Sequence, residues 1–227
     1  MIARELLGTA NIPNEGGELK LYSRTLKGGN EYSIMLGRIE LMNSRLSFSE
    51  EALATLTHER ILPRPEPHIL IGGLGMGFTL RTALSGMPAD AKISVAELVP
   101  AVVDWARGPM ASLHEGSLDD PRVDIQIKDV SHIIRNSPAK YDAILLDVDN
   151  GPDGLTHDSN EAIYSIAGLK AAHAALKADG ILAIWSCAPD DAFARRLGKC
   201  RFDVEEIKVR ARGDRGAHHV IWLARKR

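Results

Sequence analysis

Cysteine is scarce: the 227 residues hold two, Cys187 and Cys200. Two cysteines build neither a disulfide framework nor a zinc pattern. Both are expected to pack inside a chain kept in a reducing compartment. Aromatic residues make up only 5%, and neither sign of charge is in excess, with 28 Lys and Arg against 30 Asp and Glu. That balance creates no field towards nucleic acid or a membrane surface, and neither is expected as a partner. No apolar run approaches the roughly 20 residues a membrane helix needs. The opening segment Met1 to Gly8 carries Arg4 and Glu5 where a signal peptide would begin its apolar stretch. The cytoplasm is the expected location. Internal repeats and low-complexity tracts are lacking too. What is present is an ordinary globular balance, 44% hydrophobic and 26% charged residues, enough for a sizeable core.

One boundary stands out. Residues 62–67 read Leu-Pro-Arg-Pro-Glu-Pro, and prolines at alternate positions cannot continue a helix. Residues 1–61 are expected to form a small β-rich region with a linking helix, and residues 62–227 a nucleoside-binding domain. In the first part, Glu18 to Leu26 and Tyr32 to Leu36 read as strands around the turn Lys27-Gly-Gly-Asn30, with a third strand over Ile39 to Met42. Ser47 with Glu50 three residues on fits a capping box that opens a helix to about Ile61. After the prolines, short apolar strands alternate with helices. The strands are His68 to Ile71, Ile93 to Glu97, Val123 to Ile127, Tyr141 to Asp147 and Ile181 to Trp185. Between them lie helices to about Leu84, from Pro100 to Arg107, and from Glu161 to Lys177. A further helix covers Asp190 to Lys199. This alternation predicts an α/β fold, a doubly wound and mostly parallel sheet with helices on both faces. The tail changes character: Val204 to Ala211 and His218 to Ala224 flank a glycine-containing turn and predict a terminal antiparallel hairpin. A seven-stranded, methyltransferase-like (Rossmann-like) sheet is the expected result.

Chemistry-bearing residues gather at the strand ends. Gly73, Gly75 and Gly77 alternate directly after the first buried strand and before a helix, where a backbone can turn sharply and approach a ligand closely. Glu97 ends the second strand, 24 residues after Gly73. An acid there can accept hydrogen bonds from ribose hydroxyls, or simply stand solvated at a strand end. Asp129 follows the third strand and suits either an adenine amino group or the cap of the next helix. Asp147 ends the fourth strand and opens a loop with four aspartates in twelve residues, Asp147, Asp149, Asp153 and Asp158. Such an acidic mouth suits a cationic small molecule, an amine or a sulfonium. No metal is expected: Gly151 falls at position five of a would-be calcium loop, and no glutamate closes it. His218 and His219 alternate onto opposite faces of the hairpin. Trp105 reads as a half-buried aromatic that could flank a base.

Together these stretches resemble the spermidine/spermine synthase family of aminopropyltransferases, which shares the class I S-adenosylmethionine-dependent methyltransferase fold. The resemblance rests on Ile71-Gly-Gly-Leu-Gly-Met-Gly-Phe-Thr-Leu-Arg81, Ala96-Glu97-Leu98, Asp120-Pro-Arg-Val123, Tyr141-Asp-Ala-Ile-Leu-Leu-Asp147 and Leu176-Lys-Ala-Asp-Gly-Ile-Leu182. It implies decarboxylated S-adenosylmethionine as co-substrate, held by the glycine loop, by Glu97 at the ribose and by Asp129 at the adenine. It further implies Asp147 as the base that takes the proton of a small-molecule amine substrate, and a homodimer. Asn150 stands where the family has a second aspartate, with Asp149 beside it, and these two are the substrate-binding candidates. The sequence departs from the family at Met76, where the glycine loop otherwise carries an aspartate, and in Leu41 to Glu50, where the family's glutamine and tyrosine have no clear match. Met76 does not repel a cofactor carboxylate. Intact S-adenosylmethionine and a methyltransferase reaction therefore stand as the alternative, with a non-catalytic nucleoside-binding relative as a third reading.

Overall fold

The computed structural model describes residues 4–13, 17–61, 63–148, 162–213 and 215–227. The chain begins with an antiparallel four-stranded sheet in sequential order: β1 (Glu5–Asn11), β2 (Glu18–Leu26), β3 (Gly29–Leu36) and β4 (Ile39–Asn43). β2 shows why the sheet forms. Leu19, Leu21 and Ser23 are buried at alternate positions while Glu18, Lys20, Tyr22 and Arg24, which alternate with them, are more exposed, the period of two that gives a strand one inner face. β1 was not among the expected strands. It carries Gly8 at a register shift between Leu6 and Gly8, an irregularity that blurs the alternation of its sequence. The glycine has a packing reason: a Cβ there would lie 2.6 Å from the Trp105 indole nitrogen. Trp105 is 7% exposed and so is a core residue against β1, not an open aromatic.

Helix α1 (Phe48–Arg60) follows, but not through a capping box. The Ser47 side chain makes no cap, and only its carbonyl accepts, from Glu51 N–H at 2.8 Å. Glu50 is drawn elsewhere. α1 packs on α2 (Phe78–Gly86) and on the strands β9 (Leu176–Ser186) and β10 (Phe202–Arg212).

The second sheet has seven strands in the order β10-β11-β9-β8-β5-β6-β7. Its remaining members are β5 (His68–Gly72), β6 (Lys92–Glu97), β7 (Val123–Ile127), β8 (Tyr141–Leu146) and β11 (Arg215–Lys226). β5 to β9 pair in parallel, whereas β11 runs antiparallel to β9 and to β10. The expected doubly wound sheet with a hairpin on one edge is therefore found. Helices α3 (Pro100–Arg107), α4 (Ala111–His114), α5 (Val130–Arg135), α6 (Ile166–Ala175) and α7 (Asp191–Lys199) lie among the described residues. Every residue of β8 is buried, as expected of a strand covered on both faces.

The helix expected over Glu161 to Lys177 ends earlier, at Ala175, and is interrupted at Ser165 after the helical residues 162–164. Glu161 lies outside the described residues. α6 starts after Ser165, whose hydroxyl accepts from Gly168 N–H at 3.1 Å, and Leu176 already pairs with Tyr141 in the sheet. Asp179, with φ of 58°, turns the chain before the strand settles into its parallel register. Of the two cysteines expected inside, Cys200 is buried and Cys187 is exposed.

At the amino end of β8, Asp142 ties the proline segment to the sheet. Its carboxylate, 0% exposed, accepts from Arg64 at 3.0 Å, Lys177 at 2.6 Å and His68 N–H at 2.8 Å. The glycine turn, Glu97 and Asp147 lie at the opposite, carboxyl end of the strands. No helix among the described residues is long and apolar enough to cross a membrane.

Candidate functional site

The glycine turn between β5 and α2 is pinned from both sides. Gly73 N–H donates to the Ala96 carbonyl at 2.9 Å, and Asp147 N–H to the Gly72 carbonyl at 3.2 Å. The turn is thus bound to the ends of β6 and β8, the two strands flanking β5. Gly73, Gly75 and Gly77 have φ of 88°, 49° and 82°. At Gly73 a Cβ would stand 2.7 Å from the Asp147 carbonyl oxygen, and at Gly77 one would stand 2.4 Å from the His114 ring. Both positions need glycine for conformation and for space. Met76 is 5% exposed and belongs to the core, so this turn presents no acid of its own.

Glu97, 8% exposed, holds the turn in shape. One carboxylate oxygen accepts from Leu74 N–H at 3.0 Å and the other from Val99 N–H at 2.8 Å. Burial raises its pKa, while backbone N–H groups of Val99, Leu74, Leu98 and Gly75 favour the charged form. Asp129 is exposed and caps α5, accepting from Ser131 N–H at 2.6 Å, the capping alternative that its sequence position left open.

Asp147 is partly buried just past β8. The Thr79 hydroxyl, in the first turn of α2, donates to it at 2.8 Å. Tyr164 donates to the carbonyl of the next residue, Val148, at 3.4 Å. Burial pushes the Asp147 carboxyl up to about 6, with Thr79 opposing. A carboxyl titrating there is ionised at neutral pH, yet basic enough to accept a proton. Asp149 and Asn150 lie outside the described residues, as do Asp153 and Asp158. Among the described residues no cluster of His, Cys, Asp or Glu is arranged to hold a metal ion.

The sequence reasoning missed Glu50. Thr79 Oγ1 also lies 3.4 Å from the Glu50 carbonyl, which brings the first turn of α1 to Asp147. Burial and then the charge of Asp147 raise the Glu50 carboxyl to about 7. Ser49 Oγ donates to Glu50 Oε2 at 2.7 Å, and His219 Nδ1 on β11 lies 2.9 Å from that hydroxyl. The local sequence signal, a serine and an acid at a helix start, served equally well for a cap. Only the packing of α1 on α2 decides between the two.

Comparison with known proteins gives this geometry a context. The spermine/spermidine synthase domain matches residues 50–189, more than half of the chain. That span takes in Glu50, the glycine turn, Glu97, Asp129 and Asp147. Polyamine aminopropyltransferase 2 of Pseudomonas aeruginosa is 30% identical over 155 residues, which are 65% of this chain and 41% of the relative. The chain therefore spans less than half the length of that relative. A crystal structure of spermidine synthase in complex with the transition state analogue AdoDATO superposes with a TM-score of 0.75 at 19% identity, covering 98% of this chain and 72% of the other. A Burkholderia thailandensis 1,6-didemethyltoxoflavin-N1-methyltransferase, crystallised with S-adenosylhomocysteine, gives a TM-score of 0.57 at 21% identity over 79% of each chain. Both structures share the fold, and the domain match goes further: the chain belongs to the spermine/spermidine synthase family.

Proposed function

We propose that this protein moves an aminopropyl group from decarboxylated S-adenosylmethionine to a small amine, with Asp147 as the base. The observation that carries the proposal is the placement of Asp147. It stands at the carboxyl end of the most buried strand, against the glycine turn, fixed by Thr79 and buried enough to titrate at about 6. A protonated amine is no nucleophile, so a carboxylate must first hold it and take its proton. The amine nitrogen then bonds to the carbon beside the sulfonium, the carbon–sulfur pair leaves with sulfur, and methylthioadenosine departs. Glu97 would receive the ribose hydroxyls, and the glycine turn from Gly73 to Gly77 would stand against the nucleoside. Asp129 would offer the adenine its second carboxylate oxygen while the first keeps its cap. Asp149 and Asn150 complete the proposed amine site.

One observation favours intact S-adenosylmethionine and methyl transfer: Met76 is buried and offers no acid to repel a cofactor carboxylate. Glu50 weighs on the other side, because it adds a second negative group next to Asp147. The test is direct. Purified protein is incubated with either cofactor and a panel of diamines and monoamines, and the nucleoside product is identified. Methylthioadenosine formed from the decarboxylated cofactor is the expected result. S-adenosylhomocysteine formed from the intact one would replace it with the methyltransferase reading.

A further inference from the structure

Between Asp147 and the terminal hairpin runs a line of polar side chains that the transfer reaction as described does not use. Thr79 bridges Asp147 at 2.8 Å and the backbone of Glu50 at 3.4 Å. Ser49, 0% exposed, donates to the Glu50 carboxylate at 2.7 Å. A hydroxyl that donates in one direction must accept from the other, so His219 Nδ1 carries the proton in its 2.9 Å contact with Ser49. The His219 ring is held edge-on against Trp185 at 4.8 Å. Three separate elements, the start of α1, the start of α2 and the hairpin strand β11, thus converge on the carboxyl end of β8. Buried polar chains of this kind are costly unless every member is satisfied.

The chemistry needs such a route. An amine that enters as R–NH₃⁺ and leaves as the secondary ammonium R–NH₂⁺–R′ gives up one proton per turnover. That proton, first taken by Asp147, must depart before the next ammonium can be deprotonated. We propose that Glu50 is the second acid–base group of this site: it shares the proton with Asp147, and Ser49 and His219 carry it on to the edge hairpin. This rests on the transfer reading for its purpose and on the geometry for its path. When Glu50 takes the proton, the chain inverts. The ring's own proton moves from Nδ1 to Nε2 by exchange with solvent; Glu50 then gives its proton to Ser49 as Ser49 passes its own to the freed Nδ1, and the imidazolium so formed releases the Nε2 proton to solvent, which restores the starting tautomer. No bond other than O–H and N–H is made or broken along the way. The charges acting on Glu50 are Asp147 at the end of β8 and Glu51 on its own helix, with His219 facing it from β11 through Ser49. Burial lowers the His219 pKa, so the ring is neutral and able to accept near pH 7.

Two measurements test this. The first needs no turnover: carboxylate carbons are followed by NMR against pH in the ligand-free protein, and Glu50 is assigned by the signal missing in Glu50→Gln. The expected result is a coupled titration in which Glu50 ionises well above the ordinary glutamate range. Its midpoint should fall in Asp147→Asn and rise in Ser49→Ala, which loses a hydrogen bond to the charged form. A single step near 4.5, indifferent to Asp147, overturns the pairing. The second is chemical rescue. His219→Ala should lower kcat by about 10²-fold, the low end of what a positioned proton carrier contributes, with KM little changed, and added imidazole should restore it. An unchanged kcat, or a loss that imidazole does not mend, overturns the route. If the wild-type protein transfers no aminopropyl group at all, the transfer reading fails, while the titration still decides whether Glu50 and Asp147 act as a pair.

Discussion

Asp147 and Glu97 flank the same glycine turn from the ends of β8 and β6, and their surroundings give them opposite characters. Both oxygens of Glu97 are engaged by backbone N–H groups, whereas among the described residues the Asp147 carboxylate receives the Thr79 hydroxyl alone. Glu97 is therefore a fixed acceptor and Asp147 a group free to gain a proton. Asp147→Asn keeps size and removes the base. Turnover should fall by roughly 10²–10⁴, seen in kcat as well as in kcat/KM in steady-state assays, while nucleoside affinity measured by calorimetry changes little. Glu97→Ala should do the reverse and weaken nucleoside binding by about 1.5–3 kcal/mol, the usual loss for hydrogen bonds to a charged group. Calorimetry giving wild-type affinity in the folded variant would place the ribose elsewhere. Both acids were legible because each ends an apolar run, and a run's last residue on a parallel strand points at the crevice by topology alone. Glu50 was not legible. Its partners Thr79, Asp147 and His219 lie 29, 97 and 169 residues away, and no local pattern encodes contacts of that range.

At the scale of elements, the clearest sequence signals were the punctuation: the prolines at 63, 65 and 67, the glycine turn, and the terminal hairpin, all found where expected. The elements that escaped were those shaped by tertiary contact. β1 is bent at Gly8 to admit Trp105, and the end of α6 is cut short because Leu176 is claimed by the sheet. The Asp142 knot belongs to this scale, since it joins the proline segment, β5, β8 and β9 through one buried carboxylate. Asp142→Asn removes the charge that Arg64 and Lys177 answer and should cost roughly 1.5–3 kcal/mol of stability, read by urea unfolding. Nucleoside binding should stay unchanged, because the knot lies at the opposite end of the strands from the site. A loss of binding in that variant would mean that the amino ends of the strands set the geometry of the carboxyl ends.

Over the whole molecule, two sets of buried ionisable groups pull stability in opposite directions with pH. His68 and His114 are held at about 4, chiefly by burial, from an ordinary 6.5. As pH falls below 6.5 the unfolded chain takes protons at these rings and the folded chain does not, so stability is lost down to about 4. Glu50 and Asp147 are raised to about 7 and about 6 from 4.5 and 3.8. Here the folded chain takes protons first, and stability rises as pH falls from about 7 towards 4. Asp120, depressed to about 2 by its bonds to Arg122, acts only below its ordinary 3.8 and outside this window. His219 and His173, lowered by burial, add to the first set and Glu97, raised by burial, to the second; the two sets oppose each other, and the melting temperature should change little between pH 6.5 and 4.5. Replacing both carboxylates, in Glu50→Gln with Asp147→Asn, takes Glu50 and Asp147 out of the balance. Above pH 7 the double variant should melt higher than the wild type, since two buried charges that repel each other are gone. Below pH 6.5 its melting point should fall steeply, each unopposed histidine proton costing about 1.4 kcal/mol per pH unit, equivalent to about 3 °C or more in a chain of this size. Calorimetric scans at half-unit intervals would resolve the crossing of the two curves. Parallel curves would show that the two carboxyls titrate alike in the folded and unfolded chain, and that the crevice leaves them in water.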